Sequence, residues 1–183
     1  MRDDAIAVLQ AWQAPDDPQS RLRQAYLDFL DEHDDAMWRE CRVGHLTASA
    51  LVLDDRRERV LLTLHPKVGR WLQLGGHCEP DDPSLREAAR REAIEESGIA
   101  QVRISAAPLR LDRHPVACAG QMSEHLDVQY LATVRSDARE VMSDESDDLR
   151  WFSVTALPDD LDESVRALIA AALDAGSTHG EMS

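Results

Sequence analysis

Apolar and polar positions alternate along the chain in three regimes: a helical front, a strand-rich middle with one long helix, and a helical end. In "DDAIAVLQAW", Ile6, Leu9 and Trp12 recur at helical spacing behind a pair of acids, the pattern of a helix start. "APDDP" interrupts it. "PQSRLRQAYLDFLDEHDDAMW" then sets Leu22, Tyr26, Phe29 and Leu30 on one face, which predicts a second amphipathic helix running toward Trp38. From His45 the period shortens. "HLTASALVLD" and "RVLLTLH" read as strands joined by the polar turn "DDRRER", hence a hairpin. "WLQL" reads as a short strand running into Gly75-Gly76. "PDDPSLREAARREAIEES" has the clearest helical pattern, with Pro83 and Ser84 near its start and Gly98 just past its end. "VRIS", "LRLDRHPV", "HLDVQYLATV" and "LRWFSV" continue the strands. In the last helix, Asp162 stands at the capping position and Val165, Leu168, Ile169 and Leu173 form the apolar stripe.

Strands on both sides of a central helix, with more helices at the ends, predict an α+β fold: a mixed β-sheet between helices, an α/β/α sandwich. The chain divides into an N-terminal helical extension (1–40), a main domain (41–176) and a flexible tail (177–183). The two front helices need a surface for their stripes, either the main domain or a second copy in a homodimer.

Composition narrows the classes. The 183 residues suit one domain plus an extension, and 43% hydrophobic content is that of a globular protein. No apolar run approaches the length of a membrane span, and the acidic N-terminus does not resemble a signal peptide, so a cytoplasmic setting and no membrane partner are expected. Cys41, Cys78 and Cys118 form no CxxC pair; reduced, mostly buried thiols are expected. The net charge of -15 comes from the flanks, because residues 41–136 balance 13 acids against 13 bases. Such a charge disfavours polymeric nucleic acid as a partner but admits a small phosphorylated substrate bridged by metal ions.

The candidate chemistry lies in "GGHCEPDDPSLREAARREAIEESGI", residues 75–99. Glu92, Glu95 and Glu96 stand at i, i+3 and i+4, so they share one helix face and repel each other. Arg91 projects about 100° away from Glu92. By i±4 spacing it pairs with Glu87 or Glu95, leaving Glu92 and Glu96 without an evident local cation. A hard divalent ion such as Mg²⁺ or Mn²⁺ takes such oxygen ligands. Leu85, Ala88, Ala89, Ala93 and Ile94 are mostly small and allow close packing. The two glycines allow the loop backbone to come near. A solvated acidic helix with Arg-Glu pairs is the competing reading.

Gly75-Gly76 followed by "REAIEESGI" closely resembles the Nudix box of the Nudix hydrolases. The similarity extends to "GRW" before the glycines and to "DESDDLRWFSVTALP" near the end of the domain. There are two departures. Gly76 to Arg91 is one residue longer than the usual pattern, so Asp82, or more distantly Glu79, takes the place of the first box glutamate. Leu74 stands where a proline is usual. The resemblance implies a Nudix-like fold and a Nudix-type pyrophosphohydrolase. Such an enzyme is metal-dependent and cleaves a diphosphate bond in a nucleoside diphosphate linked to another group. It implies that Glu92, Glu95 and Glu96, with the Gly75 carbonyl, hold Mg²⁺ or Mn²⁺, and that Arg91 orients the carboxylates. The catalytic base is then Glu95, Glu92 or the later acid Glu145.

Lys67, Arg70 and His77 are candidate substrate contacts, the first two for phosphate. Trp71 is a stacking candidate, although a core role is commoner at such a position. His77, His114 and His125 suggest a histidine-rich mouth able to bind phosphate or respond to pH. Three other functions compete. The first is a catalytically silent Nudix-like nucleotide-binding regulatory module. The second is an isopentenyl-diphosphate isomerase, which would need a reactive cysteine such as Cys78. The third is an interaction protein with acidic flanks.

Overall fold

The computed structural model describes residues 1–118, 121–142 and 147–177. In chain order the described elements are α1 (Arg2–Ala11), α2 (Asp17–Glu32), β1 (His45–Asp54), β2 (Arg59–His65), β3 (Arg70–Leu72), β4 (Leu74–His77), α3 (Leu85–Ser97), β5 (Arg103–Ile104), β6 (Arg110–Cys118), β7 (Gln121–Val134), β8 (Asp148–Ser153) and α4 (Glu163–Ser177). The strands form one mixed sheet between helices, in keeping with the α+β sandwich expected from the pattern.

β1 is the spine. It runs parallel to β7 along its whole length, from His45 opposite His125 to Asp54 opposite Val134. Its other edge is divided between two antiparallel partners. β4 covers the first half, with Thr47 opposite His77 and Ser49 opposite Gly75, and β2 covers the second, with Val52 opposite Leu61. Alternation along β1 sorts its side chains. Leu46, Ala48, Ala50 and Val52 join the core shared with α1, α2 and α3, while Leu51 and Leu53 pack with α4. His45, Thr47 and Ser49 continue that second face as a buried polar row.

The capping chemistry explains the helix ends. The Asp16 carboxylate accepts the Gln19 N–H at 2.8 Å to start α2, and Asp162 accepts the Ser164 N–H at 3.0 Å to start α4. Ser84 accepts the Glu87 N–H at 3.1 Å, and Gly98 closes α3 in the left-handed conformation at φ 67°. Asp4 of α1 also accepts the Leu85 N–H at 2.9 Å, so the first helix helps cap the third.

Three expectations are corrected. α2 stops at Glu32 rather than near Trp38, and turns follow. Acids crowd the negative end of its dipole and no basic residue lies in its last turn. "WLQL" is not one strand. The chain leaves the edge of β2 and joins that of β1 at Gln73, whose amide donates to Asp127 at 3.2 Å. β6 and β7 also run beyond the predicted spans, to Cys118 and from Gln121.

α1 and α2 pack on the main core. Gln19 exchanges two hydrogen bonds with the Leu111 backbone, at 3.0 and 2.7 Å, and the Tyr26 hydroxyl donates to the Asp112 carbonyl at 2.6 Å. Among the described residues no helix is long and apolar enough to cross a membrane.

Candidate active site

The close approach of α3 to the sheet begins with small side chains. Ala88, Ala89 and Ala93 are fully buried against the core. On the same side of the helix, Glu92 and Glu96 are carried inward to 9% and 8% exposure. Opposite them lies the Gly75-Gly76 backbone of β4. The Gly75 N–H donates to the Glu96 carboxylate at 2.9 Å. A Cβ on Gly76 would lie 2.6 Å from Glu92 Oε1, and one on Gly75 would lie 2.3 Å from the Ser49 Cβ. Gly75 therefore requires glycine for strand pairing, while a side chain at Gly76 would displace the Glu92 carboxylate.

Arg91 joins the parts. Its Nε and Nη2 donate to the two Asp82 oxygens at 3.0 and 2.9 Å. Nη2 also donates to the His77 carbonyl at 3.0 Å. Nη1 donates to Glu92 at 3.0 Å and to Glu95 at 2.9 Å. The expectation that Arg91 points away from Glu92, pairing with Glu87 or Glu95 alone, is therefore corrected. Asp82 draws the long side chain back along the loop, which brings one corner of the guanidinium between the two glutamates. Glu87 instead lies near Arg86 and Arg90.

Asp82 is thus the loop carboxylate that holds Arg91. It also accepts the Glu79 N–H at 2.8 Å, and the Glu79 carbonyl accepts the Asp82 N–H at 3.0 Å, which closes a turn. Burial pushes the Asp82 pKa up, but the Arg91 and Glu79 hydrogen bonds outweigh it and hold the carboxyl below its ordinary value. The hydrogen bond to Asp82 is the largest cause of the raised Arg91 pKa.

Glu92, Glu96 and the Gly75 backbone are therefore adjacent, oxygen-rich and reachable past a Cβ-free loop, a donor set that fits a hard divalent cation. The Glu95 side chain is 57% exposed and is linked to Glu92 through Arg91. Glu145 lies outside the described residues.

The other sequence candidates are not all drawn to this cluster. Lys67 is exposed, and its charge bears on His77. Arg70 pairs with Asp162 at 2.8 Å. Trp71 packs edge-on to Phe152 at 4.8 Å, a core role. The His77 ring turns toward His45 and His125, while its carbonyl serves Arg91. The His114 ring lies 5.5 Å from that of His125, and its Nδ1 is 2.7 Å from Asp112. Cys41 and Cys78 are buried free thiols, and burial pushes Cys78 up to about 12, unlike a reactive cysteine.

The sequence reading missed Asp127 and His45. Asp127 is buried, and burial pushes its pKa up. It accepts from Thr47 at 3.0 Å, Ser49 at 2.6 Å, and Gln73 and Gln129 at 3.2 Å each. The available signal was the alternation itself: His45, Thr47 and Ser49, like His125, Asp127 and Gln129, place polar groups where an inward strand face is normally apolar.

Residues 44–172 match the family model described as the NUDIX domain. Similar solved structures include a Nudix-family hydrolase from Clostridium perfringens, 27% identical, covering 72% of this chain and 97% of that one with a TM-score of 0.59. A MutT Nudix hydrolase from Burkholderia pseudomallei is 29% identical and covers 69% and 95%, with a TM-score of 0.54. The Nudix domain of Shewanella oneidensis NrtR, complexed with ADP ribose, shares the fold at 22% identity and a TM-score of 0.57, covering 81% and 96%. Among curated proteins none matched. The arrangement of the glycine pair, the acidic helix and their common arginine thus sits in a recognised domain, and the chain is an enzyme of the Nudix hydrolase family, a Nudix-type pyrophosphohydrolase.

Proposed function

We propose that the protein is a divalent-metal-dependent hydrolase of a nucleoside diphosphate linked to another group, acting in the cytoplasm. The observation that carries this reading is the closure of Gly75-Gly76 on Glu96 and Glu92, with Arg91 tying Glu92 and Glu95 to Asp82. Glu92, Glu96 and the Gly75 carbonyl would hold Mg²⁺ or Mn²⁺, with Glu95 at the exposed edge. When bound, such ions offset the diphosphate charge, lower the pKa of water and stabilise the leaving phosphate.

The chain's own groups orient the reaction. Arg91 fixes Glu92 and Glu95 against their mutual repulsion, acting as a positioning residue. Glu95, more exposed than Glu92, is the better placed of the two to take a proton from water arriving from solvent. Glu145 is the other base candidate. Lys67 is exposed and available to a phosphate. Arg70 would reach one by exchanging Asp162, a surface partner whose loss costs little. His77 contributes through the carbonyl that holds Arg91. A homodimer would have to use a surface other than the buried stripes of α1 and α2.

The test is a panel of nucleoside triphosphates, nucleotide sugars, dinucleoside polyphosphates and non-nucleotide diphosphates with Mg²⁺ or Mn²⁺ in ¹⁸O-labelled water. Mass analysis of the products should show one cleaved diphosphate bond and one incorporated label. The absence of any metal-stimulated cleavage across the panel would refute the reading.

A further inference from the structure

A second cluster of donor atoms lies apart from the acidic face of α3. His45 on β1, His77 at the end of β4 and His125 on β7 bring their rings together, with centroid separations of 5.0, 4.9 and 5.2 Å. The three nearly equal distances describe a triangle around one point. Strand pairing builds it: His45 is the register partner of His125, and His77 lies opposite Thr47, one same-face step from His45. One ligand nitrogen from each ring lies within 4.8 Å of the other two.

Among the described residues, four of these ring nitrogens are buried without a hydrogen-bond partner. His45 is completely buried, and neither of its ring nitrogens makes a hydrogen bond of normal geometry. His77 Nε2 and His125 Nε2 are also buried without a partner. Buried polar atoms are ordinarily satisfied, so several orphan nitrogens around one point call for a ligand. A neutral imidazole offers one lone pair to a metal ion.

We propose that His45, His77 and His125 form a binding site for a divalent transition-metal ion, Zn²⁺ foremost, separate from the oxygen-donor cluster on α3. Three imidazoles suit a borderline-soft ion, whereas carboxylate and carbonyl oxygens suit Mg²⁺. A tetrahedral Zn²⁺ with bonds near 2.1 Å sets its ligands about 3.4 Å apart, so the rings close by up to about 1.4 Å on loading, within the reach of side-chain rotation. The fourth position stays open to water or a phosphate oxygen. Glu40 places negative charge near His45 and His77, opposing Arg39 there and Lys67 at His77.

The test uses the full chain stripped with a chelator and titrated with Zn²⁺ in excess Mg²⁺, which occupies the oxygen donors. One Zn²⁺ should bind per chain, and His45→Gln and His125→Gln should each weaken it by about 100-fold or more. No Zn²⁺ binding, or binding unchanged in both folded variants, would overturn the site. Should the variants fail to fold, Cu²⁺ paramagnetic resonance on the wild-type chain decides. Splitting from three nitrogens supports the site, and an all-oxygen spectrum refutes it. Neither readout depends on diphosphate hydrolysis.

Discussion

Arg91 donates to Asp82, Glu92, Glu95 and the His77 carbonyl, so the direction of each depends on one planar guanidinium. Lysine carries the charge without the fork. Arg91→Lys should therefore fold but lose roughly 10–100-fold in kcat/KM, as when groups that orient metal ligands are changed. A steady-state rate near that of the wild type would contradict the positioning role. The glycines separate two effects. Gly76→Ala drives a methyl into the Glu92 carboxylate and should impair turnover more than melting temperature. Gly75→Ala meets the Ser49 side chain and the Ala48 carbonyl and should mainly lower stability, as thermal unfolding of the two variants would show. Asp82 supplies a pH signature. Its folded pKa is depressed, so its contribution is present above the unfolded value, about 3.9, and is lost as pH falls through the folded value. Asp82→Asn should cost about 1–3 kcal/mol near neutrality, and the difference from wild type should shrink in acid unfolding below about pH 4. A gap that stayed constant to pH 2 would exclude the charge pair as its cause. The Arg91–Glu92 contact itself was not legible from helix spacing. The angular rule describes where a Cβ points, not where a long side chain ends once a loop carboxylate attracts it.

At the scale of elements, spans were most legible where a polar turn or a cap bounds an apolar run. "HLTASALVLD" and "RVLLTLH" coincide with β1 and β2, and Ser84 and Gly98 mark the ends of α3. Strand ends and breaks were harder to read. Gln73 interrupts "WLQL" because two different strands claim its two halves, a tertiary choice without a local code. α3 carries a second constraint that its own sequence does not show, the Asp4 cap from α1. Asp4→Ala should remove about 1 kcal/mol of stability in chemical denaturation. An unchanged midpoint would mean that water replaces the cap.

At the scale of the molecule, the front of the chain and the main domain share one core. Ala5, Leu9, Tyr26, Phe29 and Leu30 are buried with Leu46, Ala48 and Ala88. A chain beginning at residue 41 should therefore express poorly or lose cooperative unfolding, since its removal uncovers apolar surface on the sheet and α3. The family motif was visible because the box is contiguous in sequence. The histidine triangle was not, because residues 45, 77 and 125 meet only through the register of three strands. The central claim is that the acidic face of α3 serves metal-dependent diphosphate hydrolysis. Its most direct test is the Mg²⁺ dependence of kcat for Glu96→Gln, on the substrate chosen by the panel. Glutamine keeps the shape and can still accept the Gly75 N–H, so the fold should persist while kcat falls by about 100-fold or more and no longer rises normally with Mg²⁺. Wild-type turnover and Mg²⁺ response in that variant would contradict the account.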